Sequence, residues 1–285
     1  MPVLYILCAA VLLLVIWCHI ETRLLKTVVY SFSSPKVPED MEGKRIVLLS
    51  DLHCTMFGKG NKRLLKHIAD AKPDMIMIAG DMINGDSKQY GYALELLKKL
   101  SGMGTKVYYS FGNHECRLDK AFWGEGEFDR YVRTCEPYCN ILNNDHTAVG
   151  EKTCVYGLML DLIQFGMSLK EPLTRPINDY LGAPDPDKFN IMIAHDPGYI
   201  RDYLKWGADL VLSGHLHGGI ISLPLLGGLI SPRFTFFPKP DKGLYIFDKS
   251  RAHVISAGIG WHAIPFRFLN RPEVVVTELH KAKDT

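Results

Sequence analysis

The sequence predicts an α/β fold, a mixed sheet flanked by helices, with an N-terminal transmembrane helix ahead of it. Three observations predict this. Arg45–Ser50, Met75–Ala79 and Lys106–Ser110 are short, largely apolar runs, as expected of strands buried on both faces of a parallel sheet. Segments of helical spacing alternate with them, and right-handed crossovers between such strands place helices outside the sheet. Finally, Val3–Ile20 is apolar throughout except for His19 near its end.

The composition sets the outer limits. At 285 residues the chain is one large domain or two small ones, with ample material for a core. Lys and Arg number 33 against 31 Asp and Glu, and no basic stripe is interleaved with aromatics. Nucleic acid is therefore not a favoured partner. The seven cysteines show no spacing framework and are expected as free thiols. Cys135 and Cys139 alone make a poor zinc pair.

Taken in order, residues 1–20 are expected as a membrane anchor. As a helix, Val3–Ile20 reaches roughly 27 Å, at the short end of what spans a bilayer, and it has no polar face. A cleaved signal peptide is disfavoured, because no basic region precedes Val3 and no small-x-small site follows Trp17. Arg23 and Lys26 follow the stretch, so the positive-inside rule places the main domain on the cytoplasmic side of the cell membrane, single-pass. Residues 21–43, with Ser31, Ser33, Ser34, Pro35 and Pro38, are expected as a juxtamembrane linker, and 44–285 as the domain.

Within that domain Asn61–Ala71 has helical spacing and stops before Pro73. A second helix is expected from about Ser87 to Leu100, and a third over Gly126–Cys135. Ile141–Leu142, His146–Val149 and Cys154–Leu160 read as short antiparallel strands. Asp161–Asp187, carrying four prolines, reads as an irregular insertion. Asn190–Ala194 and Asp209–Leu212 are strands around a helix near Gly198–Lys205. Gly243–Asp248, His253–Ser256 and Glu273–Glu278 are expected in a second sheet.

Each apolar run ends on metal-type donors. The centre of the set is Asp74-Met-Ile-Met-Ile-Ala-Gly-Asp81, with Asp81 just past its strand, where ligand crevices of open α/β sheets lie. The others are Asp51-Leu-His53, Gly112-Asn-His-Glu115, His195-Asp196 and Gly214-His-Leu-His217. Asp51 and His53, like His215 and His217, are two apart, a spacing that shares one face in extended chain. Asp51, His53, Asp81, Asn113, His195, His215 and His217 are too many donors for one first-row ion and suit two ions sharing a carboxylate. All are N or O donors, which fits Mn, Fe, Zn or Ni.

These blocks, D-x-H, G-D, G-N-H-E, a lone H and G-H-x-H, in order and each after a strand, resemble those of the calcineurin-like metallophosphoesterases. The resemblance covers about residues 44 to 279. Ser256-Ala-Gly-Ile-Gly260, Pro265-Phe-Arg-Phe268 and Arg271-Pro-Glu-Val274 look like the small membrane-associated branch that includes UDP-2,3-diacylglucosamine diphosphatases. The resemblance implies a metallophosphoesterase-type β-sandwich flanked by helices, with two divalent metal ions at the strand ends. It assigns Asp51, His53 and His217 to one ion, Asn113, His195 and His215 to the other, and Asp81 to both. His114 is left for the leaving group as general acid. Two cations roughly 3.5–4 Å apart activate a bridging water and clamp phosphoryl oxygens for in-line attack. The expected activity is therefore hydrolysis of a phosphodiester, pyrophosphate or phosphomonoester, on a phosphorylated small molecule or a lipid-linked substrate. The alternative is a non-catalytic metal-binding scaffold of the same fold.

Other residues carry weaker readings. His67, His146, His253 and His280 are expected as ordinary surface or core histidines. Glu115 is expected to make hydrogen bonds behind the metals, Asp196 to orient a ligand or cap the next helix, and Arg267 to meet a substrate phosphate or an ion pair. His262 lies in a Gly-rich loop that could touch substrate. Ile220–Phe237 is a long apolar loop, read either as core or as a surface that receives the acyl portion of a lipid phosphate.

Overall fold

The structure, a computed structural model, describes residues 1–85, 90–119, 125–167, 171–223, 226–230, 236–237, 240–261 and 265–282. Its elements in order are α1 (Pro2–Glu21), β1 (Lys26–Ser34), β2 (Arg45–Leu49), α2 (Lys62–Asp70), β3 (Met75–Ala79), α3 (Gly91–Ser101), β4 (Lys106–Ser110), α4 (Asn113–Cys116) and α5 (Glu127–Cys135). Then follow β5 (Asn140–Ile141), β6 (Asp145–Ala148), β7 (Thr153–Leu158), α6 (Asn178–Leu181), β8 (Phe189–Ala194), α7 (Ile200–Trp206) and β9 (Leu210–Ser213). The chain ends with β10 (Ser222–Leu223), β11 (Gly227–Gly228), β12 (Gly243–Ile246), β13 (Ala252–Ile255) and β14 (Glu273–Lys281).

Two six-stranded sheets, ordered β1-β14-β2-β3-β4-β5 and β12-β13-β9-β8-β7-β6, pack face to face. Ile46, Leu48, Met75 and Met77 meet Ile191, Ile193, Leu210 and Leu212 between them. The alternate residues Val47, Leu49, Ile76 and Ile78 face outward onto α2, α3 and α5. Met192 and Val211 face the opposite layer, with α6 and α7. Both faces of the central strands are thus buried, which is why they read as unbroken apolar runs. In α3, Ala93, Leu96, Leu97 and Leu100 form the buried stripe at helical spacing.

Several expectations are corrected. The segment expected as a linker, 21–43, contains β1, which pairs in parallel with β14 from Lys26↔Glu273 to Ser34↔Lys281. Its exposure alternates, with Thr27, Val29, Ser31 and Ser33 outward and Phe32 buried, so an edge strand with one polar face mimics a linker. A domain boundary at residue 44 would cut this sheet. Glu273–Glu278 is not in the second sheet: β14 lies in the first, antiparallel to β2 with Val276 opposite Val47. Among the short middle strands only β6 and β7 pair antiparallel. β5 runs parallel to β4, and β7 parallel to β8. Which neighbour a strand selects depends on partners distant in sequence, and period alone does not carry that information.

The described residues of 161–187 are irregular apart from a turn of 3₁₀ helix at Leu162–Gly166 and α6. The expected start of α3 at Ser87 lies outside the described residues. All seven cysteines are free thiols. The apolar helix α1 is long and apolar enough to cross a membrane, and its side chains are exposed apart from Cys18 and Glu21.

Candidate metal centre

The C-terminal ends of β2, β3 and β4 in one sheet, and of β8 and β9 in the other, open on the same edge of the sandwich. Asp51 and His53 follow β2, Asp81 follows β3, Asn113 and His114 follow β4, His195 follows β8, and His215 and His217 follow β9. The shared-face argument from extended chain does not hold here. Asp51, His53, Asp81, His215 and His217 all have left-handed backbones, with φ of 53°, 46°, 55°, 71° and 51°. Non-glycine residues there cost on the order of 1–3 kcal/mol each and persist only where surroundings over-determine them. Here the 51–54 turn is bonded to the 80–82 turn: Asp51 N–H donates to Gly80 O, His53 N–H to Asp81 O and Cys54 N–H to Met82 O. Two motif glycines permit the close approach. A Cβ at Gly112 would overlap Asp81 Oδ1, and one at Gly214 would overlap Asp51 Oδ2.

The donors converge as two groups whose ligand atoms lie within 4.8 Å of one another, Asp51–His53–His217 and Asp81–His195–His215. A third such group, His53–Asp81–His114, joins them through Asp81. His195 Nε2 is 3.0 Å from Asp81 Oδ2 and 4.0 Å from Asp51 Oδ1. His53 Nε2 is 4.0 Å from Asp81 Oδ2 and 3.2 Å from His217 Nε2. His215 turns Nδ1 toward His195 Nε2 at 3.1 Å. The Asn113 side chain is buried, and its Oδ1 has no hydrogen-bond partner among the described residues. A buried amide oxygen of that kind, beside clustered imidazoles and carboxylates, fits a divalent cation.

The tautomers agree with this use. His195 Nδ1–H donates to Ala79 O at 2.6 Å, which aims Nε2 at the carboxylates. His53 Nδ1–H donates to Asn84 Oδ1 at 3.1 Å, and Asn84 Nδ2 reaches back to His53 O, leaving His53 Nε2 for the site. His114 is the opposite case. Its Nδ1 accepts from Gly85 N–H at 3.0 Å, so the ring proton sits on Nε2, 3.9 Å from Asp81 Oδ2. A proton held there points into the site.

Electrostatics follow the same division. Burial works to raise the Asp81 carboxyl, but His195 and His114 beside it hold it well below the carboxylate range. Burial raises Asp51 to about 6 against the pull of His195. Burial likewise works to lower His195, and the Asp81 and then Asp51 carboxylates carry it up to about 10. Behind the donors, Glu115 accepts from the backbone N–H of Asp81, Met82 and Gly112 and from Tyr109 Oη–H. This is the supporting role expected of it, and it ties the β3 turn to the β4 turn. His114 N–H in turn donates to Asp81 Oδ1.

All seven predicted donors and His114 therefore come together. Asp196 accepts from Gly198 N–H and caps the turn before α7. Arg267 makes no ion pair among the described residues. It is buried and donates to the carbonyls of Ala257, Gly258, Gly260 and Asn270. His253 is a buried core residue bonded to Ser213 Oγ, whereas His146 and His280 lie at the surface. His262 and Leu225 lie outside the described residues.

Three residues escaped the sequence reading. Asn84 orients His53, and its signal was a lone polar side chain three positions after Asp81. Asn270 donates to His217 O and Gly219 O. Phe165, from the irregular insertion, sits with its ring centroid 5.5 Å from His215 and 6.1 Å from His195. Neither Asn270 nor Phe165 has any local signal.

A family model described as calcineurin-like phosphoesterase matches residues 44–219. Among curated relatives, the uncharacterized metallophosphoesterase YkuE of Bacillus subtilis is 27% identical over 266 residues, covering 92% of this chain and 87% of that protein. A metallophosphoesterase of Aquifex aeolicus is 26% identical over 265 residues, 92% of this chain and 95% of its own length. A transmembrane protein with metallophosphoesterase domain from Danio rerio is 28% identical over 266 residues, 87% of this chain, which spans 55% of that relative.

Proposed function

From the premise that this chain belongs to the calcineurin-like phosphoesterase family, and is a metal-dependent phosphoesterase, we propose a membrane-tethered enzyme with a two-cation site that hydrolyses a lipid-linked phosphoester. The observation that carries the proposal is the convergence of Asp51–His53–His217 and Asp81–His195–His215 on either side of a buried carboxylate pair. Asp51, His53 and His217 would hold one divalent cation, Asn113, His195 and His215 the other, with Asp81 between them. When bound, such ions supply Lewis-acid activation of water and charge compensation for phosphoryl oxygens.

The chain's own residues do the rest. His195 and His114 beside it favour the ionised form of Asp81, the form a cation would bind. His114 presents its Nε2–H to the space beside Asp81 and protonates the departing oxygen of the ester. Phe165 closes the His195–His215 side with an apolar wall. Membrane tethering is supported by α1 and by the transmembrane relative. A lipid substrate is supported by exposed apolar residues of the loop after His217. Leu226, Phe236 and Phe237 are 55%, 67% and 50% exposed, at odds with a core role for these three side chains.

The test is a panel of monoester, diester and pyrophosphate substrates, each soluble and lipid-linked, with metal content measured in parallel. We expect two ions per chain, activity lost on chelation and restored by Mn²⁺, and loss of both ions in Asp81→Ala. One ion per active chain overturns the two-cation site. Absence of any lipid preference overturns the substrate class.

A further inference from the structure

The last turn of α1 is one wall of a cavity. A space of about 400 Å³ lies between His19 of that turn, with Thr22 and Arg23 just beyond it, and the residues immediately after His53, among them Thr55, Met56 and Phe57. Tyr92 and Trp261 complete its rim. The 54–57 wall and the Trp261 rim both adjoin the predicted donors. Cys54 follows His53, and Gly260, next to Trp261, donates its N–H to Asp51 O at 2.7 Å. The cavity therefore joins the end of the apolar helix to the edge of the metal centre.

Its charge is one-sided. Arg23 has His19 as its side-chain neighbour, at 3.4 Å from Nη2 to Nε2. The Arg63 guanidinium lies 5.9 Å over the Phe57 ring and donates to the carbonyl of Arg23. Neither arginine has a carboxylate partner among the described residues, although the nearby Glu21 carboxylate is buried and committed to backbone N–H groups. Arg271 is bonded to the carbonyls of Leu24 and Leu25 on the same connection. Cations without carboxylate partners among the described residues, beside the exposed Tyr92 and the half-buried Trp261 at the end of a membrane-length helix, match the charge and level of a phospholipid head group.

We infer that this cavity is the head-group subsite of the lipid-linked substrate: Arg23 and Arg63 take an anionic head group at the bilayer surface, Trp261, Tyr92 and Phe57 flank it, and the acyl portion stays in the membrane along α1. The inference rests on the lipid-linked reading of the active site and adds the route by which such a substrate arrives. The membrane helix is then part of the binding site as well as its tether.

The experiment uses the full chain, metal-loaded, in phosphatidylcholine nanodiscs. A phosphatidic acid carrying a photoactivatable head group is crosslinked and the labelled peptides are mapped. The linkage that wild type hydrolyses is then presented on dioleoylglycerol and on dibutyrylglycerol, and the ratio of kcat/KM for the two is taken. We expect crosslinks in 54–57 and at Trp261. In Arg23→Gln/Arg63→Gln, crosslink yield and kcat/KM on the dioleoylglycerol substrate should both fall about tenfold, the order expected of two cations facing an anionic head group. The Arg23→Lys/Arg63→Lys pair, which keeps the charge, should restore most of both and separates charge loss from misfolding. Crosslinks mapping elsewhere, or kcat/KM on the dioleoylglycerol substrate unchanged in the glutamine pair, overturn the subsite alone. A wild type indifferent to chain length overturns the lipid-linked reading itself.

Discussion

The Glu21 carboxylate, in the last turn of α1, accepts the backbone N–H of Asn270 at 2.9 Å. It takes the N–H of Leu269 at the same distance. The Asn270 side chain in turn donates to His217 O at 2.7 Å and accepts from Lys242 Nζ at 2.6 Å. The apolar helix is thus linked through two side chains to a predicted metal donor. Glu21→Ala should strand two amide donors, at about 1–3 kcal/mol each where they stay buried. It is expected to lower the melting temperature in detergent and weaken binding of the ion assigned to His217. Wild-type melting and wild-type metal affinity together would mean that the linkage carries no strain.

Truncation should show the same dependence. Removing residues 1–17 leaves Cys18, Glu21 and β1 in place and is expected to yield a folded, less membrane-bound protein. Removing 1–43 takes away β1 and uncovers the β14 edge it pairs with, and with it Phe32, Val37 and Met41 of the inter-sheet core. That protein should aggregate. Circular dichroism and size-exclusion profiles of the two truncations decide the matter.

His114 should govern rate and leave metal content unchanged. His114→Gln is expected to keep both ions and lose about 10²–10⁴ in rate on poor leaving groups, the usual range for general-acid catalysis. An activated aryl ester needs little protonation and should lose far less. Equal losses on both esters, or departure of an ion, would contradict the role assigned to its Nε2–H.

His253 predicts an acid-side loss of stability. Burial lowers its pKa to about 3, below the ordinary value near 6.5 it regains on unfolding. The unfolded chain therefore takes up a proton first as pH falls. Stability from this group is complete above about pH 6.5 and declines toward pH 3, by about 2 kcal/mol at pH 5. His253→Gln, which does not titrate but can still bond Ser213 Oγ, should flatten that slope in chemical denaturation at a series of pH values. An identical slope would place the proton uptake elsewhere.

The sequence by itself determined the α/β class, the membrane-length helix and which residues gather at the strand ends. Those properties reside in local pattern. Met75–Ala79 is apolar at every position because both its faces are covered, and Asp81, Asn113 and His195 stand just past the strands that end at the site. Glu115 was legible too, since a carboxylate two residues beyond Asn113 has little to do except hold the adjoining turns.

Tertiary structure alone decided the rest. The Lys26–Ser34 strand was hidden because an edge strand buries one face, and its polar alternation reads as linker until β14 lies beside it. The left-handed backbones at Asp51, His53, Asp81, His215 and His217 follow from turns braced across the sandwich, and no spacing rule encodes them. Asn84, Phe165, Asn270 and Glu21 reach the site from separate segments, Glu21 from nearly 250 positions before its partner. A hydrogen bond across that separation exists only after the two sheets and the helix have found their places.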